Sequence, residues 1–536
     1  MKKIYITLCL SVIAFCVCSL DTAIYAQGWS KTYEIYPATE NVKKIAYIDD
    51  TIYLSSGSAC HSGEECSFVT KLDTAGTVLE TFEFFKPARR IQLGYSSHIL
   101  KIGNQLVMTG ADSWDNDTLN LQTQYIYKFD SNFDTLERVH IPVQPKGWVQ
   151  FGINLLSFEK ENLIVTMTLK RSPDPKVYLD RINITAVNGN NELMWTYDYK
   201  NPTIYALKAV GSIVKNSDTS FVVSMRVGWA NIQYFSMNTK GKLLWEYTEK
   251  KDVEGLVMEG GHLQQMASTE GTDIVRAWYY DGQFKSTGDL EVEVSRLSNK
   301  GELKWQCKLP ATYYLDSIQK AGKGVWQLIK TKNGDYVGVG EAIYFHYNPN
   351  WSTKFYYNTG YAFRVGSDGS LKWERYFYDK PKQKYGWQYF FSVAEGDDGS
   401  LYFAGNIADS IPNVPGSSLN GNIWLVKTGP DGCLTPGCDS LVSVSTKKVL
   451  NRHPDLLTVY PNPGSSELNI SWGDVPSLPQ RIELRSLNGS IVYKENLSGI
   501  DDRATIHAAH LPPGMYLVTL HGQDWQTMPQ KWVKIE

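Results

Sequence analysis

Beyond its first 26 residues the sequence has no run approaching the roughly 20 apolar residues that a membrane helix needs, which excludes a helical span in the body of the chain. Charge of one sign is also missing. Lys and Arg number 53 against 56 Asp and Glu, a formal net charge of −3, so the basic face of a nucleic-acid binder is absent. No helical periodicity interrupts the alternating apolar pattern. No G-x-S-x-G, H-E-x-x-H or Cys–His signature occurs, and the nine His are scattered. With 42% hydrophobic and 20% charged residues the chain is nevertheless rich enough to pack a core, which excludes a disordered protein.

The N-terminus has the layout of a secretory signal peptide over residues 1–26. Lys2 and Lys3 precede an apolar stretch from Ile4 to Leu20, and cleavage is expected after Ala26. An uncleaved anchor is the alternative, and neither Cys16 nor Cys18 sits in a good lipobox. The expected product is exported and soluble. Cysteine usage agrees: after loss of Cys9, Cys16 and Cys18, the close pairs Cys60/Cys66 and Cys433/Cys438 are expected as disulfides of an oxidising compartment. A zinc site lacks the His–Cys spacing it needs. Cys307 is left single and is expected to pack as a small apolar residue in a strand.

One phrase recurs through the middle of the chain: a strand, a polar turn, then a strand usually opening in Leu-x-Trp. It reads KLDTAGTVLE at 71–80, KFDSNFDTLE at 128–137, AVNGNNELMW at 186–195 and MNTKGKLLW at 237–245. It continues as RLSNKGELKW at 296–305, RVGSDGSLKW at 364–373 and KTGPDGCL at 427–434. Aligning the turns on Gly76, Phe133, Asn191, Gly241, Gly301, Gly369 and Gly432 gives a period of about 59 residues. A further hairpin precedes each copy, from IAYIDDTIYLSSG at 45–57 to VAEGDDGSLYFAG at 393–405. Two hairpins per unit make a four-stranded sheet, and seven such units predict an all-β chain whose residues 27–440 form a seven-bladed β-propeller. A flat sandwich does not explain equal units, and ~59 residues of open sheet cannot carry a core of their own. The last copy lacks its Leu-x-Trp strand, while residues 28–35, GWSKTYEI, supply an orphan one; pairing the two would close the ring, with Cys433–Cys438 at the seam.

The phrase resembles the docking motif of PQQ-like and related bacterial propellers, with matching positions Gly241 to Trp245, Gly301 to Trp305 and Gly369 to Trp373. The resemblance implies that these Trp dock neighbouring blades. Quinoprotein-type adjacent cysteines and a calcium–Asp constellation are absent, so no cofactor is carried over. The sialidase Asp box also fails at Ser367-Asp368-Gly369, which lacks the spacer.

The longer connections, among them 111–124, 281–290, 341–361 and 377–388, fall on the face opposite the short hairpin turns, where binding residues usually sit. Aromatic residues concentrate there. Trp114, Trp278, Tyr279, Tyr280, Tyr344, His346, Trp351, Tyr356, Tyr357 and Trp387 offer flat apolar area with polar tips, suited to stacking on sugar rings or anchoring a protein, or to packing the loops against one another. Asp112, Asp115 and Asp117 have the hard oxygens of a Ca²⁺ site, though an Asp-rich loop is more often simply solvated. No catalytic residue is assigned.

After a polar linker at 441–454 the pattern changes to short alternating strands over 455–536, the signature of a small β-sandwich. This module resembles the C-terminal sorting domain of the type IX (Por) secretion system of Bacteroidetes. Matching residues are Pro461-Asn462-Pro463, Leu468, Leu487-Asn488-Gly489, Leu511-Pro512-Pro513-Gly514-Met515-Tyr516 and Lys534. The resemblance implies export across the outer membrane, a translocon and a sortase-like peptidase as partners, and release or attachment at the cell surface. Cargo of this route includes enzymes and adhesins alike, so the expected role is a binding scaffold for a glycan or protein through the aromatic face. The competing expectation is a polysaccharide hydrolase or lyase with acids at the propeller channel.

Overall fold

The computed structural model describes residues 28–35, 40–59, 65–86, 89–93, 99–114, 122–130, 133, 135–141, 149–171, 180–199, 212–227, 231–250, 265–267, 272–279, 292–309, 319–346, 355–379, 388–408, 421–438, 441–444, 447–449, 451–453, 457–473, 479–486, 490–497, 502–522, 525–527 and 529–536. The signal-peptide segment 1–26 and Cys60 lie outside them, so neither the leader nor the Cys60–Cys66 pairing is placed. The chain divides into two compact units, residues 1–31 with 38–446 and residues 32–37 with 447–536.

The larger unit is built from antiparallel four-stranded meanders in chain order. The first uses Asn41–Ile48, Thr51–Ala59, Glu65–Asp73 and Val78–Lys86. The second uses Leu100–Ile102, Gln105–Trp114, Gln122–Phe129 and Thr135–His140. Arg89–Leu93 pairs with both Val78–Lys86 and Gln105–Trp114 and joins these two meanders into one continuous sheet. The third, fourth and fifth run from Val149–Phe158 to Leu193–Tyr199, from Ile213–Ser217 to Leu243–Lys250, and from Gln265–Ala267 to Leu303–Leu309. The sixth runs from Gln319–Lys330 to Leu371–Asp379, and the last takes Gln388–Glu395, Leu401–Ala408 and Gly421–Thr428. Among the described residues the only helical element is one 3-10 turn, Glu159–Glu161.

Each repeat phrase lies where a third strand turns into a fourth, and its aligned turn residue takes a positive φ every time: Gly76 73°, Phe133 60°, Asn191 68°, Gly241 77°, Gly301 82°, Gly369 86° and Gly432 73°. The amide of that residue bonds back to the carbonyl three positions earlier, as Gly241 N to Asn238 O at 3.0 Å and Gly76 N to Asp73 O at 2.9 Å. A register shift follows, for example between Ser236 and Met237. This is a type I turn closed by a left-handed residue and a bulge, the geometry a three-residue hairpin loop adopts to match strand twist. Asn238 reinforces it, its side-chain oxygen accepting from the amides of Lys240 (3.0 Å) and Lys242 (2.9 Å).

The orphan strand closes the ring as expected. Trp29–Tyr33 lies beside Gly421–Thr428 as the fourth strand of the last meander. Gly28 N donates to Leu434 O at 2.8 Å, and buried Trp424 donates its indole N–H to Ser30 Oγ at 2.9 Å. Cys433 and Cys438 form a disulfide just beyond this seam. From the second meander onward the first strands of consecutive meanders touch one another, and Gln388–Glu395 returns to Asn41–Ile48. A closed succession of meanders around their own first strands is a β-propeller.

What locks neighbouring blades is the phrase itself. Trp195 donates its indole N–H to Thr239 O at 2.8 Å, Trp373 to Pro430 O at 3.1 Å and Trp29 to Thr74 O at 3.3 Å, in each case a carbonyl in the next blade's outer turn. Trp195, Trp305 and Trp373 each need the turn residue they cover to lack a side chain. A Cβ on Gly241 would lie 2.7 Å from Trp195, on Gly369 2.8 Å from Trp305, and on Gly432 3.0 Å from Trp373. Where Glu80 or Glu137 replaces the Trp, the residue facing it is no longer Gly but Phe133 or Asn191. Phe133 accepts the left-handed strain and fills the space itself, stacking on Phe82 at 4.5 Å between centroids.

The smaller unit packs a sheet of Asn451–His453, Trp525–Thr527, Gly514–His521, Arg481–Ser486 and Ile491–Asn496, with Gln530–Lys534 paired to Gly514–His521, against a sheet of Leu457–Tyr460, Glu467–Trp472 and Arg503–His507. Leu468, Ile470, Ile482, Val518 and Trp532 are fully buried between them, the sandwich the alternation implied.

Two segments differ from their loop or linker reading. Residues 341–361, read as a connection, are mostly strand, because Tyr336–His346 and Phe355–Val365 stay paired out to His346↔Phe355. Leu441–Val444, inside the stretch read as linker, adds in parallel to Leu371–Asp379. Runs of β-branched and aromatic residues extend strands beyond where turn residues alone would end them.

The indole–glycine pairing is testable by a double-mutant cycle on the shift in urea midpoint. Gly241→Asn is expected to cost about 2–3 kcal/mol, through the clash with Trp195 more than through the left-handed backbone. In a Trp195→Ala background the same change is expected to cost less than about 1 kcal/mol. Additive costs would refute the pairing.

Candidate functional site

The aromatic residues expected on the loop face divide by backbone position. Trp114, Trp278, Tyr279, Tyr344, His346, Tyr356 and Tyr357 lie in strands, at the ends distant from the short hairpin turns, while Tyr280, Trp351 and Trp387 lie outside the described residues. The side chains of all ten are likewise outside them. Backbone register pairs six aromatic residues in three consecutive positions: Tyr344↔Tyr357, Phe345↔Tyr356 and His346↔Phe355. Asp112 is in strand Gln105–Trp114, with Asp115 and Asp117 beyond the described residues; among those described, no cluster of three or more His, Cys, Asp or Glu is placed to hold a metal.

The innermost strands carry groups that sequence periodicity did not single out. Three of them interrupt their ladders with a bulge, between Val42 and Lys44, Val325 and Gln327, and Phe390 and Ser392. The bulged Trp326 and Phe391 pack at 4.9 Å between centroids. Backbone amides freed by the bulges are taken up from the next blade. Val393 N donates to Gln327 Oε1 at 2.9 Å, Ser392 Oγ donates to the same oxygen at 2.6 Å, and Ile45 N donates to Ser392 Oγ at 3.1 Å. Asn406 holds the first blade by accepting from Val42 N at 3.1 Å and donating to Glu40 O. Beside this network sits Lys44, 9% exposed, whose ammonium burial pushes down to about 7 from the usual 10.5. Perturbed lysines of this kind concentrate at functional sites, and a bulge in an inner strand is the sequence feature that could have pointed to it.

Other buried charges serve the junctions between blades. Arg276 reaches Glu249 at 2.6 Å and Glu293 at 3.6 Å, and its Nε donates to Ser295 Oγ at 3.0 Å. Burial opposes the guanidinium charge; Tyr234, Glu249 and Glu293 outweigh it and raise the pKa. Lys323 donates to Glu374 Oε1 at 2.6 Å, and Tyr361 Oη donates to the same oxygen at 2.5 Å. Burial, then Glu374, hold the Tyr361 hydroxyl far above its usual range. Cys307, free and buried as expected, packs in this core, and burial raises its thiol pKa.

The C-terminal unit is where sequence-predicted site residues come together. The peptide bonds before Pro461 and Pro463 are cis, and Asn462 between them bonds to the last strand, Gln530–Lys534. Its Nδ2 donates to Lys531 O at 2.6 Å and its Oδ1 accepts from Val533 N at 2.9 Å. Trp532, fully buried, donates to Pro461 O at 2.9 Å, and Gly464 closes the segment by donating to Val533 O and accepting from Ile535 N. At the other stretch matching the sorting domain Leu511 is buried and Tyr516 Oη donates to Pro512 O at 2.7 Å, so the hydroxyl ties down the turn that precedes the Gly514–His521 strand. Lys534 is buried and its Nζ donates to Ile535 O at 3.3 Å. Leu487-Asn488-Gly489 lies outside the described residues.

Residues 458–535 match the family model described as "Secretion system C-terminal sorting domain". The C-terminal unit is a type IX sorting domain. The chain is therefore a secreted cargo that this machinery delivers to the cell surface. No helix among the described residues is long and apolar enough to cross a membrane. No curated protein matches the chain in sequence. Solved structures it is similar to include the acylaminoacyl peptidase of Pyrococcus horikoshii, at TM-score 0.40 and 10% identity, covering 82% of this chain and 58% of that one. The β-propeller domain of the trilobed protease of Pyrococcus furiosus scores 0.38 at 9% identity, covering 76% and 98%. The subtype N10 neuraminidase-like protein of a little yellow-shouldered bat virus scores 0.36 at 8%, covering 58% and 94%. The chain thus spans little more than half the length of the peptidase, and the propeller assignment rests on the strand order and ring closure, with no activity drawn from these likenesses.

Two measurements follow. Between pH 7 and 10.5 the unfolded chain holds a proton at Lys44 that the folded chain does not, so stability rises with pH across that window and the whole burial cost is present below it. Lys44→Met is expected to raise the melting temperature at pH 7 and to gain progressively less towards pH 10; an equal gain at both would assign the effect to packing alone. Asn462→Ala removes both bonds to the last strand and is expected to destabilise the sorting domain by about 1–3 kcal/mol, read as faster amide exchange at Val533. Unchanged exchange there would show that Trp532 and Gly464 suffice.

Proposed function

We propose that the propeller is a surface-displayed binding scaffold whose ligand, a glycan or a protein, is met on the face bearing Trp351, Tyr344, Tyr356 and Tyr357. The observation that supports this reading is the hairpin Tyr336–His346/Phe355–Val365, in which three consecutive cross-strand pairs are aromatic. Successive pairs of a ribbon belong to opposite faces, whereas a core needs apolar residues on one face alone. An aromatic-rich ribbon standing on a blade locked to its neighbours is a preorganised surface for stacking, which lowers the entropy cost of binding.

The sorting domain accounts for how the propeller reaches such ligands. The seven-bladed count belongs to this reading, each phrase being taken as one blade. A secreted polysaccharide hydrolase or lyase is the alternative; it requires carboxylates converging at about 5–10 Å. Around the innermost strands the described residues bring together Lys44, Gln327, Ser392 and Trp326, a set suited to holding blades together.

A glycan array probed with the secreted protein, with and without Ca²⁺, tests the reading against a Trp351→Ala/Tyr357→Ala variant. Selective binding lost in the variant is the expected result. Binding unchanged in the variant would remove the aromatic hairpin as the site, and glycan cleavage during the assay would establish the enzyme instead.

A further inference from the structure

A cation on the third strand of a blade makes two contacts where the pattern is complete. In the sixth blade Arg364 donates to Pro430 O, in the next blade's outer turn, at 2.8 Å and to Asp335 of its own inner turn at 2.8 Å. Arg296 in the fifth blade likewise meets Asp273 at 2.7 Å, and Lys427 in the last meets Asp398 at 3.8 Å. Register puts Lys128 at this position in the second blade, because Val107↔Lys128 corresponds to Val337↔Arg364 and Val275↔Arg296. Lys128 keeps the first contact, donating to Gly189 O at 3.1 Å. The second is lost. The inner turn of this blade, residues 102–105, reads Ile-Gly-Asn-Gln, and the uncharged Gln105 stands where Asp273 and Asp335 stand in theirs.

A cavity of about 330 Å³ lies at that place, with Gln105, Lys128 and Gly189 in its wall. The volume is at the lower end of ligand pockets, about 300–1,000 Å³. Lys128 is 3% exposed, and of the three donors of its ammonium Gly189 takes one. Glu137 of the outer strand reaches Lys128 only to 3.7 Å, beyond hydrogen-bond distance, and is half-exposed, so it replaces the turn acid weakly. Glu159, the acid in the lining, is exposed. The rest of the wall is apolar, with Val107, Phe158 and Ile164 buried behind it. A buried ammonium beside an apolar cavity is stabilised by an anion that bonds to it directly.

We propose that this cavity binds a small organic carboxylate with an apolar body, which makes with Lys128 the ion pair that Asp335 and Asp273 make within their own blades. The apolar body covers the wall around Phe158. The site lies among the short hairpin turns and is independent of the function proposed above.

The probes are acetate, 4-methylpentanoate and 3-phenylpropionate, each titrated into the full secreted chain beside its neutral primary amide, with binding followed by saturation-transfer NMR. Saturable binding of at least one of the two larger acids is expected, its amide being weaker by at least about tenfold, a difference of about 1.4 kcal/mol. Lys128→Met is expected to abolish the preference for acid over amide. Gln105→Asp restores the inner-turn acid and is expected to do the same should Lys128→Met fail to fold, whereas Gln105→Asn is expected to keep the preference. Trp351→Ala/Tyr357→Ala is expected to leave binding unchanged. No binding of any acid by the wild type, equal binding of acid and amide, or an undiminished preference in Gln105→Asp would overturn the proposal.

Discussion

The structure depends on one contact repeated around the ring: an indole from the outer strand of one blade lying over the left-handed turn of the next. A blade of about four short strands cannot bury both its faces alone and is stable only between neighbours. The contact supplies apolar burial, with a directed hydrogen bond as well at Trp29, Trp195 and Trp373, and it fixes how one sheet sits on another. It also constrains sequence at two distant places, 46 residues apart for Trp195 and Gly241 and 64 for Trp305 and Gly369. Trp195 requires Gly241 and Trp305 requires Gly369, because a single Cβ would collide with the ring. Losing the Trp releases the glycine, and in the blade that follows Glu80 the freedom is used by Phe133, whose own ring fills the space.

Much of this was legible beforehand. The Leu-x-Trp phrase with its polar turn marks every third-to-fourth-strand hairpin, and the turn residues aligned by eye are the ones with positive φ. The missing strand of the last copy and the orphan GWSKTYEI at the start identified the ring closure, since a meander lacking its outer strand leaves a row of unpaired edge groups that must be covered. Other features could not be read. The strand from Tyr336 to His346 outruns its turn signals because aromatic and β-branched residues sustain pairing wherever a partner strand does the same. The inner-strand bulges at Lys43, Trp326 and Phe391 depend on how neighbouring blades satisfy the freed amides, which is a property of the closed ring. Lys44 was invisible for the same reason: its lowered pKa arises from burial between elements distant in sequence.

The candidate site was legible unevenly. In the sorting domain, short-range grammar sufficed. A proline on each side of Asn462 fixes its backbone, and its amide then meets the two backbone groups that an edge strand offers, so residues 69 and 71 positions away are held by one side chain. In the propeller the binding residues proposed are aromatic rings whose use depends on which face they occupy, and composition alone does not set a face.

Closing the ring with the first strand has a consequence for an exported chain. Nearly every pairing in the propeller is between consecutive strands and forms locally, but the contacts of Ser30 with Trp424 and of Gly28 with Leu434 join the two ends of the domain. Neither contact can form until residues 421–438 are present, so they carry the largest loop-closure cost in the fold and come late. A ring lacking them exposes the edge of Gly421–Thr428 with its buried Trp424, a strand ready to pair with another chain. The Cys433–Cys438 disulfide sits just past that edge and holds the Leu434 carbonyl where Gly28 N reaches it. In an oxidising compartment the bridge thus prepares one side of the seam before the N-terminal strand arrives, shortening the time for which the open edge is available to other molecules.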